Sequence, residues 1–177
     1  GTNTFLNSPF ANDNTTIEDS NQIFVKWYLD VNVKDNYTSN LYNANVTLYN
    51  KSSNNADIFS LLTDTSGNIQ RQNITEYRAN ATDRYYRADY SLNITKKGYT
   101  ANNSLLNLTA SSTKNKVLKG PRSRCGSYSS DQTWSGDILI TCDTTFIPKG
   151  DAPTLTINPG TNITFDAKSE SDIDLSF

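Results

Sequence analysis

The chain has 177 residues and a formal net charge of −2, and Asn (23), Thr (22) and Ser (19) make up more than a third of it. It contains no His, the commonest acid–base catalyst and metal ligand, which argues against an enzyme and against a bound metal or other cofactor. A charge near zero without a basic run also argues against a nucleic-acid partner.

The first twenty-one residues form a polar arm that contains the large apolar side chains Phe5, Leu6 and Phe10. Such a segment is ordered only if it packs on its own domain or on a neighbouring subunit. Residues 22–34 then carry an apolar side chain at every second position, which predicts a long strand. The predicted buried face holds Ile23, Val25, Trp27, Leu29, Val31 and Val33.

Shorter strands are predicted over 43–50, 57–62, 69–78, 85–95 and 104–110. Turn residues separate them, with Thr63–Asn68 and Lys96–Tyr99 as the clearest turns. Within 85–95, the predicted buried face holds Tyr86, Ala88, Tyr90, Leu92 and Ile94. No window has a helical period, so the sequence predicts an all-β fold, an antiparallel β-sandwich.

A polar connector is predicted over 111–133, followed by strands over 137–147, 154–158 and 162–166 and an alternating tail at 172–177. The predicted organisation is an N-terminal arm (1–21), a β-sandwich (22–118) and a C-terminal β extension (119–177). The chain begins with Gly1, which suggests a processed or truncated product. No stretch approaches the ~20 apolar residues that span a bilayer.

The two cysteines, Cys125 and Cys142, cannot make a zinc site alone. They are either two free buried thiols or one disulfide formed in an oxidising compartment, and the second interpretation is preferred. Such a disulfide would staple the C-terminal extension and contribute about 3 kcal/mol in the chain-entropy model.

N-glycosylation sequons are the strongest compositional signal. Ten occur, about twice the number that chance predicts from this composition, and they indicate a secreted glycoprotein with covalent N-glycans. Composition bias alone is the alternative. The predicted acceptors are Asn14, Asn36, Asn45, Asn50, Asn73, Asn80, Asn93, Asn102, Asn107 and Asn162.

Residues 25–100 resemble the prealbumin-like β-sandwich of carboxypeptidase regulatory-like domains, which are found in secreted and surface proteins. The matching features, in order, are the strand Val31–Asp35, the strand Ala44–Leu48, the turn Thr63–Gly67, and the closing strand Tyr90–Ile94 with Lys96–Tyr99. The resemblance implies a surface-located sandwich.

Residues 134–165 resemble the opening rung of parallel β-helix surface proteins, through Trp134–Ile138 and Leu155–Thr161. About one rung is expected, too little for a full solenoid. The two modules together, with dense sequons, are similar to archaeal cell-surface glycoproteins.

Several chemistries compete with a structural function. Glu76 and Asp30 are the acids considered for catalysis, and Glu76 is also the acid that could assist an isopeptide bond from Lys26 or Lys34. Calcium could bind Asp143 with Asp151, or the tail acids, although no EF-hand spacing is present. Those tail acids are Asp166, Glu170, Asp172 and Asp174. A solvated acidic tail is the preferred interpretation.

Aromatic side chains could stack sugars and make the chain a carbohydrate-binding or adhesin module, although cross-strand packing is the favoured alternative. They are Tyr28, Tyr49, Tyr85, Tyr128 and Trp134.

The preferred hypothesis is an extracellular structural glycoprotein that partners with copies of itself in a filament, sheath or surface layer. The expected mechanism is strand donation to an open sheet edge, by the arm first or the tail second, and no small-molecule substrate is expected.

Overall fold

The computed structural model describes residues 1–8, 16–18, 20–51, 56–86, 89–147, 153–165 and 175–176. These residues form β-strands, turns and loops, and no α-helix occurs among them. It follows that this part of the chain has no helix that could cross a membrane. The chain divides into two compact units, residues 1–119 and 120–177.

Two sheets build the first unit. One contains β1, β2, β5, β6 and β9, and the other has the order β4-β3-β7-β8. The strands are β1 (Thr2–Leu6), β2 (Gln22–Asp35), β3 (Asn45–Asn50), β4 (Ala56–Leu62), β5 (Gln72–Ala79), β6 (Arg84–Tyr86), β7 (Tyr90–Thr95), β8 (Asn102–Leu106) and β9 (Ser112–Leu118).

The sheets face each other across one apolar core, as the alternating sequence predicts for a sandwich. The odd-numbered residues of β2 from Ile23 to Val33 are buried, and they pack with residues of the second sheet. Those partners are Val46, Leu48, Leu92 and Ile94. The β-sandwich prediction is therefore confirmed for this unit.

Strand direction in the first sheet departs from a purely antiparallel sandwich. β5 runs antiparallel to β2, but β1 and β9 both run parallel to it.

The prediction of one strand over 85–95 is also wrong. Tyr86 lies in β6 of the first sheet and is 60% exposed, whereas Tyr90 lies in β7 of the second sheet and is buried. The sequence alternates in polarity from Tyr86 to Ile94 although the chain passes from one sheet to the other in between. A period-two pattern cannot reveal such a change of sheet.

The turn at Thr63–Asn68 is fixed by side-chain and backbone hydrogen bonds. The Asp64 carboxylate accepts hydrogen bonds from the backbone N–H groups of Ser66 and Asn68, at 2.8 and 2.9 Å. Gly67 has a φ of +77°, and a Cβ there would lie 2.4 Å from the backbone oxygen of Val33. The turn therefore requires glycine for two separate steric reasons.

The second unit is a stack of parallel strands, in which β12 pairs with β10, β14 and β15 while β11 pairs with β13. Its strands are β10 (Arg122–Tyr128), β11 (Gln132–Trp134), β12 (Asp137–Phe146), β13 (Leu155–Ile157), β14 (Asn162–Phe165) and β15 (Leu175–Ser176). Trp134, Ile138, Ile140 and Phe146 are the buried residues of its core.

Parallel stacking agrees with the resemblance to a parallel β-helix, but the expectation of a single rung is wrong. β10, β12 and β14 occupy three successive levels of one sheet. The polar stretch 111–133, predicted to be a connector, contributes β9, β10 and β11. Those strands are held by ladder hydrogen bonds with few buried side chains, so the hydrophobic pattern does not reveal them.

Candidate functional site

One edge of β2 is shared by two other strands that lie end to end. β1 pairs with Gln22–Lys26, and β9 pairs with Leu29–Asp35. β5 occupies the opposite edge of the same strand. β2 is 14 residues long, so a five-residue strand and a seven-residue strand nearly fill its edge.

β1 is held mainly by backbone pairing. Thr2, Asn3 and Thr4 are exposed, whereas Leu6 is half-buried and Phe5 packs against the core from its rim. Beyond the strand, the backbone N–H of Asn7 donates to the Lys26 carbonyl oxygen at 2.9 Å. No side chain of β1 is therefore fully buried in the core.

The junction between β1 and β9 carries a small polar cluster. The Ser111 hydroxyl accepts a hydrogen bond from the backbone N–H of Tyr28 at 3.0 Å, and it donates to Oδ1 of Asn7 at 2.6 Å. Asn7 has a φ of +52°, a left-handed conformation that Asn tolerates better than most residues. No sequence motif marks Asn7 or Ser111, so sequence reasoning missed both.

The connection from β1 to β2 is long for the distance that it covers. Fifteen residues (7–21) separate Leu6 from Gln22. Fully extended, these fifteen residues would span ~50 Å. The distance from the end of β1 back to the start of β2 is only ~15 Å, because the two strands are parallel neighbours. The connection is therefore much longer than the return from β1 to β2 requires.

The sequence left open whether the arm packs on its own domain or on a neighbour, and in this single chain β1 and Ile17 of the arm pack on their own domain. Residues 9–15 and 19 of the arm lie outside the described residues. Of the predicted tail, Leu175–Ser176 pairs with Thr144–Thr145 of β12, and the remainder lies outside the described residues.

Of the five aromatic side chains proposed for sugar stacking, two are structural. Trp134 is fully buried, and Tyr128 stacks on Phe146 with ring centroids 5.4 Å apart. Trp134 lies in the core of the second unit and Tyr128 packs against that core, so both rings serve packing. Tyr49 lies on β3 in the second sheet of the sandwich.

Tyr28 and Tyr85 lie on the outer face of the first sheet. The Arg71 guanidinium lies 4.9 Å from the centroid of the Tyr28 ring, and that of Arg78 lies 4.6 Å from the Tyr85 ring. The rings thus already have cationic partners, Arg78 from the neighbouring β5 and Arg71 from the residue before it, as expected for packing across a sheet.

The predicted glycan acceptors differ in exposure. Asn36, Asn73, Asn107 and Asn162 are exposed, and Asn45, Asn80, Asn93 and Asn102 are partly buried. Asn14 lies outside the described residues. Asn50 is only 1% exposed, so a glycan on its amide has no path to solvent in this fold. This burial argues against Asn50 as an acceptor.

The residues proposed for acid chemistry are not brought together. The Glu76 carboxylate accepts a hydrogen bond from Nε1 of Trp27 at 2.6 Å, whereas Lys26 lies over the Phe24 ring on the outer face. Asp30 forms an ion pair with Arg71 at 2.9 Å, which raises the pKa of the guanidinium through a hydrogen bond and charge attraction.

No group of three or more His, Cys, Asp or Glu residues that could hold a metal occurs in the described part of the chain. The side chain of Asp143, and all of the other residues proposed for calcium, lie outside the described residues. Those others are Asp151, Asp166, Glu170, Asp172 and Asp174.

Cys125 lies on β10, and among the described residues no cysteine is free. The side chain of Cys142 is not described. The backbone register shifts at this point, since Arg124 pairs with Ile140 and Gly126 with Thr144. Cys125 therefore faces the segment 141–143 of β12. The Cys125–Cys142 disulfide itself stays a prediction.

No protein-family model matches the sequence, and no curated protein matches it. Among solved structures, the chain is similar to the shaft pilin SpaA of Lactobacillus rhamnosus GG, at 14% identity and a TM-score of 0.40, over 67% of this chain and 71% of that chain. It is also similar to the TIE protein of Bacillus anthracis, at 17% identity and a TM-score of 0.39, over 63% and 20%.

A third similar structure is the 3-chlorocatechol 1,2-dioxygenase of Rhodococcus opacus 1CP, at 10% identity and a TM-score of 0.38, over 64% and 70% of the two chains. The chain spans 20% of the TIE protein and 28% of the Bacillus cereus major pilin BcpA. Similarities at this level assign neither a family nor an activity. The resemblance to carboxypeptidase regulatory-like domains and to archaeal surface glycoproteins stays a prediction.

Proposed function

We propose that the chain is an extracellular structural glycoprotein whose copies assemble into a filament, sheath or surface layer by exchanging β1. The observation that carries the proposal is the pairing of a largely exposed, long-tethered β1 with residues 22–26 on one edge of β2. A sheet edge presents unpaired N–H and C=O groups that any segment of matching register can satisfy.

Exchange leaves the local contacts of β1 unchanged. β1 of one copy would meet β2 of the next through the same register, Thr2 with Gln22 to Leu6 with Lys26. The equilibrium between the closed monomer, in which β1 pairs with its own β2, and the exchanged assembly is then set by strain in the tether and by protein concentration. It does not depend on new contacts. A head-to-tail contact of this kind is heterologous and builds an open fibre unless the rotation closes.

The proposal also includes the covalent features that suit an extracellular location. N-glycans would occupy the exposed acceptors Asn36, Asn73, Asn107 and Asn162, and the partly buried acceptors where the local strand admits them. A Cys125–Cys142 disulfide would staple neighbouring strands of the second unit. Glycans would limit lateral aggregation, while the fibre continues to grow through strand exchange at the edge of β2.

Mixing two single-cysteine variants tests strand exchange directly. Thr4 and Phe24 are partners in the β1–β2 register, so Thr4→Cys and Phe24→Cys are prepared in copies with different tags. After mixing and treatment with a short thiol crosslinker, exchange predicts a mixed dimer in which a peptide containing residue 4 is joined to one containing residue 24. Peptide mass spectrometry identifies the linked residues and excludes products of the native cysteines.

The pair Thr113 and Asp30 is the matched control, because β9 pairs with the same edge of β2 but belongs to the sandwich. Thr113→Cys and Asp30→Cys in separate copies are expected to give no mixed dimer. If the Thr4 and Phe24 variants also give none at assembly concentrations, while one copy carrying both changes crosslinks within itself, strand exchange is wrong.

A carbohydrate-binding or adhesin module is the second candidate function, favoured by the three aromatic side chains Phe24, Tyr28 and Tyr85 on one outer face. A polysaccharide pull-down compares the unchanged chain with a Tyr28→Ala, Tyr85→Ala variant. Binding that this variant loses, together with a chain that stays monomeric, would favour the second function over the first.

A further inference from the structure

We propose that Ser111 sets the register of the strand that enters the edge of β2, by binding the side-chain amide of residue 7 of that strand. In the assembled state the strand would come from a second copy, and only this part of the inference rests on the proposed function. Within one chain the same contact is formed by Asn7, with 2.6 Å between its Oδ1 and the Ser111 hydroxyl.

Backbone pairing alone leaves the register of β1 weakly defined. A slip of two residues keeps each side chain on its face of the sheet, and three of the five residues of β1 are exposed. Phe5 at the rim of the core favours the observed register, but it is only partly buried. A second contact at the end of β1 would remove the remaining ambiguity.

A forward slip is blocked by β9. β9 begins with Ser112 opposite Leu29, so the edge of β2 is open only as far as Tyr28. The Tyr28 N–H already donates to the Ser111 hydroxyl at 3.0 Å. A β1 strand moved forward by two residues would place residue 7 opposite Leu29, where Ser112 lies. The end of β9 therefore acts as a steric stop.

A backward slip is opposed by hydrogen bonds at the same point. Moving β1 back by two residues would place Thr4 opposite Gln22 and withdraw Asn7 from the junction. The slip would break the contact of Asn7 Oδ1 with Ser111 and that of the Asn7 N–H with the Lys26 carbonyl oxygen. The Ser111 hydroxyl is well suited to this position, since it accepts a hydrogen bond from Tyr28 of β2 and donates one to Asn7, the residue after β1.

This geometry defines the chemistry of an acceptable incoming segment. Five extended residues must be followed by a residue that tolerates positive φ and offers a side-chain oxygen to a hydroxyl donor. Asn satisfies both requirements, and Asp is the closest substitute. The Leu6–Asn7 end of another copy meets the description, whereas a generic hydrophobic strand does not.

The test measures register as a ratio of two crosslinks. Thr4→Cys is combined either with Phe24→Cys, the observed pair, or with Gln22→Cys, the pair of the backward slip. Ser111→Ala and Asn7→Ala are expected to shift the ratio toward the slipped pair by about threefold to tenfold, the effect of one hydrogen bond. Ser111→Thr and Asn7→Asp are expected to preserve the ratio.

Ser8→Ala is the matched control, because Ser8 neighbours Asn7 but its hydroxyl donates to the Leu6 carbonyl oxygen, at 3.5 Å, as its one hydrogen bond within the described residues. The crosslink within one chain between Thr113→Cys and Asp30→Cys checks the fold, and it should be unchanged in each variant. Equal ratios in the Ser111→Ala, Asn7→Ala and unchanged proteins would overturn the inference. The ratio is read in monomers and mixed dimers alike, so a failure of strand exchange is distinguishable from a failure of register control.

Discussion

Gly67 shows how one residue ties a loop to the core strand of the sandwich. Its backbone N–H donates to the Asp64 carbonyl oxygen, and its own carbonyl oxygen accepts from the Val33 N–H at 2.8 Å. Backbone pairing along this edge of β2 thus extends, through the loop before β5, beyond the position where Gln72 begins that strand. The loop can come this close to β2 only because residue 67 has no side chain.

Gly67→Ala is expected to lower the free energy of unfolding by about 2 kcal/mol or more, because the added Cβ meets a backbone oxygen in a left-handed conformation. Gly98→Ala is the control. Its φ is +82°, but a Cβ there would meet no atom within 4 Å, so about 1 kcal/mol is expected. Urea unfolding measures both, and equal losses would contradict the steric explanation.

Tyr99 is expected to make stability depend on pH in the alkaline range. Burial raises its pKa above the ordinary value of 10.0, and the charges of Asp35 and Tyr37 add to the shift. A raised pKa means that the neutral form stabilises the folded state below about pH 10, and that this stability is lost as pH rises through the folded-state pKa. Tyr99→Phe should lose less stability between pH 9 and pH 11.5 than the unchanged chain, as measured by urea unfolding at each pH. A parallel loss in both would contradict this role.

At the scale of elements, β2 organises the first unit, because it carries the central apolar stripe and pairs along both edges. β9 and β1 are not equivalent on the shared edge. β9 ends in the buried Leu118, whereas β1 has no buried residue. Exchange is therefore expected of β1 and not of β9.

Removing residues 1–8 is expected to leave the sandwich folded and to abolish assembly, because the buried core begins at Ile23. Light scattering measures assembly, and circular dichroism checks the fold. Adding a peptide of residues 1–8 should restore protection of the amides of β2 in hydrogen exchange without restoring polymers. Polymers that form without residues 1–8 would place the assembly contact elsewhere, with the C-terminal tail as the next candidate.

At the scale of the whole molecule, each unit has its own core and contains one of the two tryptophans. Trp27 belongs to the first core and Trp134 to the second. Fluorescence of Trp27→Phe and Trp134→Phe variants therefore reports the two units separately.

Reduction is expected to lower the stability reported by Trp134 by about 3 kcal/mol and to change that reported by Trp27 little, because the proposed disulfide lies in the second unit. Each variant is compared with and without reductant, so the cost of the tryptophan substitution cancels. A gain of two daltons in intact mass on reduction identifies the disulfide. Two unaffected transitions and an unchanged mass would contradict it.

Intact mass also tests the glycan proposal on material from the native source. Asn73→Gln is expected to remove one glycan mass, because Asn73 is exposed on β5, whereas Asn50→Gln should remove none, because Asn50 is buried. An unaltered mass after changes at all four exposed acceptors would contradict the glycoprotein proposal.

The sequence by itself determined the features that depend on local chemistry: the all-β class, the alternating strand that became β2, and the turn at Asp64–Gly67. Period-two burial and turn chemistry are written in consecutive residues, so they can be read without a fold. Only the tertiary structure decided that β1 and β9 share one edge, that Tyr86 and Tyr90 lie in different sheets, that 111–133 contributes three strands, and that Asn50 is buried. Those outcomes depend on which strands pair across long sequence separations. Polar strands are held by backbone hydrogen bonds, so no hydrophobic pattern in the sequence indicates which strands will pair.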